Sequence, residues 1–218
     1  MHIFAGYDAR EAAGFGAFLN SLIATTSGYW LRPLCGAQAD GTNAFTYARF
    51  RIPELMLWSG WALWLDGADM LVRSDLAALW ALRDPRYAVQ VVKHEYRTKH
   101  PRKYVGTAME AANPDYPRKN WSSLILWNCA HGAHFAARRR MQTSDGAFLH
   151  RFGWLEDAQI GALPADWNWL ADEYGENASA KLLHWTAGIP GFAAYRGAPH
   201  AAEWHAAAAA GALSGTPG

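Results

Sequence analysis

Residues 61–80, WALWLDGADMLVRSDLAALW, decide the fold expected for this chain. Trp61–Leu65 is a mostly apolar run with the length and aromatic content of a buried strand. It ends at Asp66-Gly67, a pair that favours turns, and Met70–Val72 then returns to the core. Asp75 has the position of a helix N-cap, because the apolar residues after it recur at helical spacing. The stretch therefore predicts a strand, a tight turn and a helix, in that order.

Two carboxylates, Asp66 and Asp69, follow this strand within one turn. Open α/β sheets place their ligands at the carboxyl ends of the strands. Hard divalent cations take oxygen ligands there, and substrate phosphates often complete the coordination shell. The pair therefore favours a metal site for a phosphate-bearing ligand. The alternative is that Asp66 only closes the turn and that Asp69 is solvated.

The longer segment Phe45–Trp80, FTYARFRIPELMLWSGWALWLDGADMLVRSDLAALW, resembles the central signature of the family 8 glycosyltransferases. In that family a Tyr-x-Arg-hydrophobic helix and an Ile-Pro pair lead into a strand that ends in Leu-Asp-x-Asp. A hydrophobic run and an Asp-hydrophobic-x-x-Leu helix start follow. The chain departs from the pattern at its centre, since Asp66-Gly67-Ala68-Asp69 is one residue longer than Asp-x-Asp. Gly67 permits the turn to absorb the extra residue, because glycine has no Cβ.

The resemblance implies a single α/β domain of the GT-A type over residues 1–198, with a mixed, mostly parallel sheet flanked by helices. An alanine-rich C-terminal helix and tail would follow over residues 199–218. The implied function is metal-dependent transfer of a hexose, with retention, from a nucleotide diphosphate sugar to a glycan, a glycolipid or another hydroxyl acceptor. UDP-sugars are the favoured donors, and Mn²⁺ or Mg²⁺ is the favoured cofactor. The alternative is a catalytically inactive nucleotide- or sugar-binding protein on the same fold.

By the same resemblance, Asp66, Asp69 and His184 are the predicted metal ligands, and Asp66 also contacts the donor through the metal. His184 belongs to Lys181–Gly188, which is similar to the family's hydrophobic-His-aromatic-x-Gly element. Arg49 takes the place of the arginine that contacts the nucleotide-sugar, where its planar fork can donate two parallel bonds to a diphosphate. Without the resemblance, a surface ion pair is the simpler interpretation of Arg49.

The N-terminal segment predicts a strand followed by a helix. His2–Asp8 has the pattern of a strand with a polar end. An amphipathic helix is predicted by an apolar stripe that consists of Phe15, Phe18, Leu19, Leu22 and Ile23. In the family the corresponding strand ends in a segment that holds the base and ribose, so Tyr7 and Asp8 are predicted to contact the nucleotide. Asp8 fits equally well as the N-cap of a helix that begins at Ala9.

Three residues are predicted near the reacting sugar: Asp157, Glu156 and Asn120. Phe152–Leu170 resembles the family's Asp-Gln-Asp-hydrophobic segment, with Asp157 at the first acidic position and Glu156 as the neighbouring alternative. Asp157 would act as a nucleophile or as the electrostatic partner of an oxocarbenium-like state. Asn120 falls near the polar positions of the segment that floors the donor-sugar site, ahead of a strand over Trp121–Asn128. The alternative for the acidic pair is the start of a helix.

A long basic segment, His94–Lys119, separates two predicted strands. Long connections in compact domains are usually functional or disordered. The diphosphate-binding lysine that the family carries after its glycine is Ile189 in this chain. We therefore expect the segment to close over the donor, with Arg118 or Lys119 supplying the missing cation. The alternative is an ordinary solvated charge run.

Composition excludes several classes of protein. The 218 residues suffice for one sizeable domain, and a net charge of +1 argues against general nucleic-acid binding. Cys35 and Cys129 are far apart and flanked by apolar residues, so we expect buried free thiols in a reducing compartment. No apolar run approaches the length of a transmembrane segment. These features predict a cytoplasmic protein.

Overall fold

The computed structural model describes residues 1–36 and 43–210. The sequence predicts a polar, glycine-containing loop over Gly36–Asn43, and this loop and the predicted C-terminal tail lie largely outside the described residues. The strands are β1 (His2–Gly6), β2 (Trp30–Leu34), β3 (Trp61–Leu65), β4 (Met70–Val72), β5 (Val89–Val91), β6 (Arg102–Lys103), β7 (Ala111–Ala112), β8 (Leu124–Asn128), β9 (Ile160–Ala162), β10 (Trp169–Leu170) and β11 (Leu182–His184). The α-helices are α1 (Ala12–Thr25), α2 (Ile52–Leu55), α3 (Leu76–Trp80), α4 (Gly132–Ala136), α5 (Arg138–Thr143), α6 (Gly146–His150), α7 (Ala171–Tyr174) and α8 (Ala201–Ala210). Short 3-10 helices cover Ala9–Glu11, Ala48–Arg51, Asp157–Gln159, Ala165–Asn168 and Ala193–Tyr195.

Strand β3 lies inside the main sheet, whose strand order is β2-β1-β3-β8-β5-β9. β2, β1 and β3 run parallel, β8 runs antiparallel to both of its neighbours, and β9 runs parallel to β5. Every residue of β3 after Trp61 is buried, as expected for a strand covered on both faces. The predicted strand at Trp61–Leu65 and the predicted α/β fold with a mixed, mostly parallel sheet are confirmed.

The turn after β3 carries the chain into a second sheet with the strand order β10-β11-β4. β4 pairs antiparallel with β11, so that Met70 lies opposite His184. The backbone N–H of Trp185 also donates to the carbonyl of Asp69 at 2.9 Å. This pairing brings together two segments that are far apart in the sequence. The helix start after the turn is also confirmed, because the side chain of Asp75 accepts a hydrogen bond from Ala77 N.

Helix α1 packs on this framework with the buried side chains of Phe18 and Leu22. Ile23, the last member of the predicted apolar stripe, is 62% exposed, so the buried face is narrower than the pattern predicted. Helix α8 packs against α1, where Asn20 Nδ2 donates to the carbonyl of Ala207 at 2.9 Å. The division of the chain at residue 198 stays a prediction.

The basic segment His94–Lys119 contains the antiparallel hairpin β6–β7. The backbone N–H of Tyr104 donates to the carbonyl of Ala187 at 2.6 Å. The buried carboxylate of Glu173 accepts a hydrogen bond from the hydroxyl of Thr98. Both contacts fasten the segment to the residues around β11, so it is a packed wall of the domain rather than a solvated run.

Two further segments are helical by sequence, and the structure differs from the prediction in detail. The sequence predicts helical structure over Tyr47–Trp58, which Pro53 either kinks or divides by opening a new turn. The structure has a 3-10 helix there, followed by the single turn of α2, and Pro53 lies in the first turn of α2, where its missing N–H leaves no hydrogen bond unmade. The sequence also predicts one helix over His131–Met141, and the structure divides it into α4 and α5 at Ala137.

The two cysteines are free thiols with different environments. Cys129 is buried as expected, but Cys35 is exposed. The reason is that Cys35 directly follows β2, which pairs only with β1 within the described residues. None of the described helices has both the length and the apolarity needed to cross a bilayer.

Candidate metal centre and ligand cavity

A cavity of about 620 Å³ opens where β3 ends. One wall carries Asp66, Asp69 and His184, and the basic segment supplies a second wall with Lys103, Tyr104 and Lys119. A third part of the wall lies around helix α6 and includes Asp145, His150 and Arg151. The cavity therefore combines a carboxylate-rich end with several cations, as a site for an anionic ligand that carries a metal ion would require.

Asp66, Asp69 and His184 form a compact group of possible metal ligands. One ligand atom from each lies within 4.8 Å of the others. Asp66 follows the last residue of β3, Asp69 precedes β4, and His184 ends β11, so the group depends on the β4–β11 pairing. Oxygen and imidazole ligands in this number suit Mn²⁺ or Mg²⁺ when the ligand's own oxygens complete the shell.

The carboxylate of Asp66 is held by two neighbours. Its Oδ1 accepts a 2.9 Å hydrogen bond from Trp64 Nε1 and lies 2.6 Å from Arg49 Nη1. Burial raises the pKa of Asp66 to about 6, which the positive charge of Arg49 opposes and the negative charge of Asp69 reinforces. Because both contacts use Oδ1, Oδ2 is the oxygen that a metal ion would take.

Asp69 and His184 complete the group in a buried environment. His184 Nε2 lies 3.3 Å from Asp69 Oδ2, and both side chains are almost fully buried. Asp69 Oδ1 is buried and has no hydrogen-bond partner among the described residues. An unsatisfied buried carboxylate oxygen is costly, and a cation at this position would satisfy it. The residues present therefore fit a divalent metal ion.

The charge state of His184 results from opposing effects. Burial by itself would lower the pKa of His184, but the negative charge of Asp69 and the hydrogen bond to it act in the opposite direction. Asp66 and Asp172 add to the effect of Asp69, and the net result is a raised pKa. Without a metal ion, the neighbouring carboxylates therefore stabilise the protonated form of the His184 imidazole.

A network of polar side chains is hydrogen-bonded to His184 on the side away from Asp69. His184 Nδ1 lies 3.0 Å from Asn168 Oδ1, and Asn168 Nδ2 donates to Ser123 Oγ at 2.8 Å. Asn168 Nδ2 also lies 3.2 Å from His94 Nε2, and His94 Nδ1 lies 3.1 Å from the hydroxyl of Tyr174. Burial lowers the pKa of His94 to about 3, so this imidazole is neutral and its Nε2 accepts from the amide. Asn168 lies within Phe152–Leu170, but the sequence predicts no role for it in the site.

Arg49 is buried and lies on the cavity wall. Besides Asp66, it contacts the carbonyl of Ser122 through Nη1 at 2.8 Å and that of Thr46 through Nε at 3.0 Å. Its guanidinium also lies over the ring of Trp64. Arg49 is therefore no surface ion pair, and its Nη2 has no partner among the described residues.

Tyr7 and Asp8 do not line the cavity. Asp8 is the N-cap of the 3-10 helix at Ala9–Glu11, and it accepts hydrogen bonds from the side chain and backbone of Arg10. The side-chain bond from Arg10 is the main reason why the pKa of Asp8 is lowered to about 2. Tyr7 packs edge-on against Phe15. The structure places Asp8 in the capping role that the sequence left open.

Asp157 and Glu156 lie outside the cavity, contrary to the position expected from the resemblance. The side chain of Asp157 is 87% exposed and forms an ion pair with Arg118. Glu156 is the N-cap residue of the following 3-10 helix, and its backbone N–H donates to Gln159 Oε1 at 3.0 Å. The pair therefore begins a 3-10 helix, and both side chains are exposed. Asn120 does line the cavity, and its Nδ2 donates to the hydroxyl of Tyr96 at 2.6 Å.

Of the two cations expected to reach the ligand, Lys119 lines the cavity and Arg118 does not. The ammonium of Lys119 donates to Asn113 Oδ1 at 2.8 Å and to the carbonyl of Pro114 at 3.0 Å, which ties the basic segment together. The guanidinium of Arg118 turns to Asp157, and Arg118 has a left-handed backbone conformation with φ of 61°.

Three further features of the site carried no recognisable sequence signal. Lys103 lies on the cavity wall within a segment that reads as an ordinary charge run. Ser122 Oγ lies 2.7 Å from His150 Nδ1 at the wall. Glu11 is buried behind the site with its Oε1 unpaired among the described residues, and burial together with Asp69 raises its pKa to about 9.

Solved structures of glycosyltransferases share this fold. The apo structure of the bifunctional glycosyltransferase WbbM has a TM-score of 0.68 at 14% identity, over 96% of this chain and 49% of that chain. The galactosyltransferase LgtC, solved with donor and acceptor sugar analogs, has a TM-score of 0.64 at 14% identity, over 100% of this chain and 98% of that chain. GlyE of Streptococcus pneumoniae TIGR4 has a TM-score of 0.61 at 14% identity, over 95% of this chain and 59% of that chain. The chain spans about half the length of WbbM, and its fold is that of the GT-A glycosyltransferases.

A closer relationship exists at the level of sequence. Protein CDI of Arabidopsis thaliana is 34% identical to this chain over 227 residues, which cover 94% of this chain and 84% of that protein. The chain belongs to the same family as Protein CDI. No protein-family model matches the chain.

Proposed function

We propose that this protein is a metal-dependent glycosyltransferase that moves a hexose from a nucleotide diphosphate sugar, with UDP-sugars favoured, to a hydroxyl of a glycan or glycolipid acceptor. The observation that carries this proposal is the Asp66, Asp69 and His184 group at one end of a cavity lined by cations. The resemblance to family 8 enzymes adds retention of the anomeric configuration. The predicted cytoplasmic location rests on the two free cysteines.

The residues of the metal centre have separate tasks in this proposal. Asp66, Asp69 and His184 would hold Mn²⁺ or Mg²⁺, which when bound neutralises charge on the leaving diphosphate. Arg49 orients Asp66 and keeps Nη2 available for a phosphate oxygen. Preorganised charges of this kind act strongly because the site is largely shielded from water.

Asn120 is the predicted donor-sugar residue that lines the cavity, and we place it beside the sugar. Asp157 and Glu156 face solvent, so we assign no chemical step to them. Transfer would then depend on the electrostatics of the metal centre and on the orientation of donor and acceptor, which together can supply a large part of a rate enhancement.

A second candidate is a nucleotide- or sugar-binding protein without turnover on the same fold. The specific observation in its favour is the exposed position of Asp157, the residue expected near the reacting carbon. Such a protein would keep the metal centre and the cavity and would lack the chemical step.

One experiment separates the two candidates. A panel of UDP- and GDP-sugars is incubated with the protein and Mn²⁺, and nucleotide release and donor binding are both measured. Asp69→Asn serves as the metal-site variant. Release from one donor that depends on Asp69 supports the transferase, whereas binding without release supports the second candidate. The anomeric configuration of the first product, measured by NMR, tests retention.

A further inference from the structure

Lys103 occupies an unusual position in the hairpin β6–β7. Successive residues of a strand point to opposite faces, and the two residues of β6 follow this rule. Arg102 turns outward to an exposed ion pair with Glu110 at 2.6 Å. Lys103 turns inward and lines the cavity that holds Asp66 and Asp69.

The ammonium of Lys103 has no hydrogen-bond acceptor and no ion-pair partner within residues 1–36 and 43–210. It lies 5.3 Å from the ring centre of Tyr104. Burial lowers the pKa of Lys103, and the negative charges of Asp69 and Asp66 act in the opposite direction. Long-range attraction to these carboxylates thus keeps a desolvated cation beside the metal centre without engaging it in a direct contact.

Two other cations of the cavity wall are already engaged. Arg49 contacts Asp66 and two backbone carbonyls, and Lys119 is bound by Asn113 and Pro114. Lys103 differs from both, since its ammonium is engaged by no acceptor among the described residues, whereas Arg49 keeps only Nη2 for a ligand. An ammonium that is half-buried and unpaired is a costly arrangement unless a ligand satisfies it.

The position of Lys103 along the hairpin also matters. Its neighbour Tyr104 donates its backbone N–H to the carbonyl of Ala187, at the turn that follows His184. That turn presents no cation of its own, because Ile189 is buried in a hydrophobic cluster with Trp185. The hairpin therefore brings a positive charge to a part of the site that its own chain segment leaves apolar.

We propose that Lys103 is the residue that binds the phosphate groups of the ligand next to the metal centre. This assignment rests on the proposed function, since it takes a diphosphate as the ligand of the cavity. The ammonium would donate to oxygens of the phosphate groups beside Asp66, Asp69 and His184, the residues that would hold the metal ion. The basic segment thereby serves phosphate binding through its hairpin, not through its end at Arg118 and Lys119.

The test uses calorimetric titration of Mn²⁺ with inorganic pyrophosphate, and of Mn²⁺ with UDP, into the intact protein. Lys103→Met removes the charge and keeps most of the side-chain volume, and Lys103→Arg restores a cation. Lys93→Met is the matched control, because Lys93 is exposed and lies outside the cavity. Lys103→Met should weaken binding of both probes about 10- to 100-fold, the range of one charged hydrogen bond. Lys103→Arg should recover most of the affinity, and Lys93→Met should bind like the wild type.

The assignment is overturned if Lys103→Met binds both probes as tightly as the wild type, or if the wild type binds neither. Melting temperatures without ligand show that each variant is folded. Turnover of a nucleotide sugar together with unchanged binding by Lys103→Met would remove Lys103 from the site and leave the transferase intact. Binding of pyrophosphate that depends on Lys103, without turnover of any donor, would support the role of Lys103 and contradict the transferase function.

Discussion

Nδ1 of His184 lies 3.0 Å from Oδ1 of Asn168, and this contact determines which imidazole nitrogen faces Asp69. Asn168 is fully buried, and its Nδ2 donates to Ser123 Oγ, so its Oδ1 is the acceptor. Nδ1 of His184 therefore carries a proton, and Nε2 faces Asp69 Oδ2 in the candidate metal site. Partners of this kind fix the orientation and tautomer of metal-binding histidines.

Asn168→Ala should weaken binding of Mn²⁺ in the presence of UDP by about 10- to 100-fold, because His184 loses the partner that orients it. Ser123→Ala is the matched control. It removes the hydrogen bond from Asn168 Nδ2 to Ser123 Oγ and leaves the His184 contact in place, so its metal affinity should stay close to that of the wild type. The measurement is calorimetric titration below the melting temperature of each variant. An Asn168→Ala protein with normal metal affinity would contradict the positioning role.

Asp69→Asn should abolish the extra thermal stabilisation that Mn²⁺ and UDP give together. The wild type is expected to gain about 2.7 kcal/mol at a ligand concentration one hundred times Kd. The variant should gain almost nothing, because Oδ1 of Asp69 is buried without a partner among the described residues and is the oxygen that we propose as a metal ligand. Asp75→Asn is the control, since asparagine also caps helices well and Asp75 lies outside the cavity. Equal ligand shifts in all three proteins would exclude Asp69 as a ligand.

Arg49→Lys should keep the positive charge and lose the forked contacts to Asp66 and the carbonyl of Thr46. We expect the affinity for a nucleotide-sugar with Mn²⁺ to fall by about 1–3 kcal/mol, measured by titration. Arg51→Lys provides the comparison, because its ion pair with Glu54 is on the surface and contributes little. If both variants bind the donor equally well, Arg49 supports only the fold.

The stability of the protein should fall in mild acid because of His134. This side chain is fully buried, donates from Nε2 to the carbonyl of Ala88 at 3.1 Å, and accepts from Trp154 Nε1 at 3.3 Å. Burial lowers the pKa of His134 to about 4, whereas the unfolded chain titrates near 6.5. The unfolded state therefore binds the proton first, so the stability is complete above pH 6.5 and is lost as the pH falls towards 4.

At about 1.4 kcal/mol per pKa unit, this group should remove up to roughly 3 kcal/mol of the free energy of unfolding between pH 7 and pH 4. Urea unfolding at several pH values measures the effect. His134→Gln should be less stable at pH 7 and show a flatter pH dependence. His2→Gln, which changes an exposed histidine, should leave the slope unchanged. A wild-type slope in His134→Gln would show that other groups cause the acid sensitivity.

The strand, turn and helix around Asp66 could be predicted because their signals are local. Periodicity, an Asp-Gly pair and an N-cap residue each act within a few residues of one another. The fold followed from the same stretch, and His184 was predicted through the family resemblance. The contact that joins His184 to Asp69 depends on the antiparallel register of β4 and β11, which no local pattern specifies.

Side-chain direction was the part that the sequence did not reveal. Arg118, Lys119 and Lys103 belong to one charge run, yet they point to an exposed carboxylate, to backbone carbonyls and into the cavity. Arg118 has a left-handed backbone conformation and Lys103 lies in the short strand β6, and both features depend on tertiary contacts that no local pattern specifies. Asp157 lies in a short 3-10 helix on the surface, and its side chain faces solvent.

The turn between Asp66 and Asp69 is one residue longer than Asp-x-Asp, and its geometry keeps both carboxylates at the cavity. Gly67 has φ of +80°, and its carbonyl accepts from Met70 N at 2.9 Å. A Cβ at this position would lie 2.8 Å from the carbonyl oxygen of Gly6 in β1. Gly67 therefore allows the turn both its left-handed conformation and its close approach to the neighbouring strand.

Gly67→Ala should consequently be destabilised by two effects. The left-handed conformation costs roughly 1–2 kcal/mol for a residue with a Cβ, and the collision with the β1 backbone adds ~1–3 kcal/mol. Gly60→Ala separates the two, because Gly60 has φ of +66° and no described atom lies within 4 Å of the place that its methyl group would take. Gly60→Ala should show only the cost of the left-handed conformation, with normal binding of Mn²⁺ and UDP.

Gly67→Ala should also lose metal affinity, since relief of the collision must shift Asp66 or Asp69. Urea unfolding and calorimetric titration of both variants measure the two quantities. If Gly67→Ala binds metal as Gly60→Ala does, the geometry of the turn does not set the position of the carboxylates.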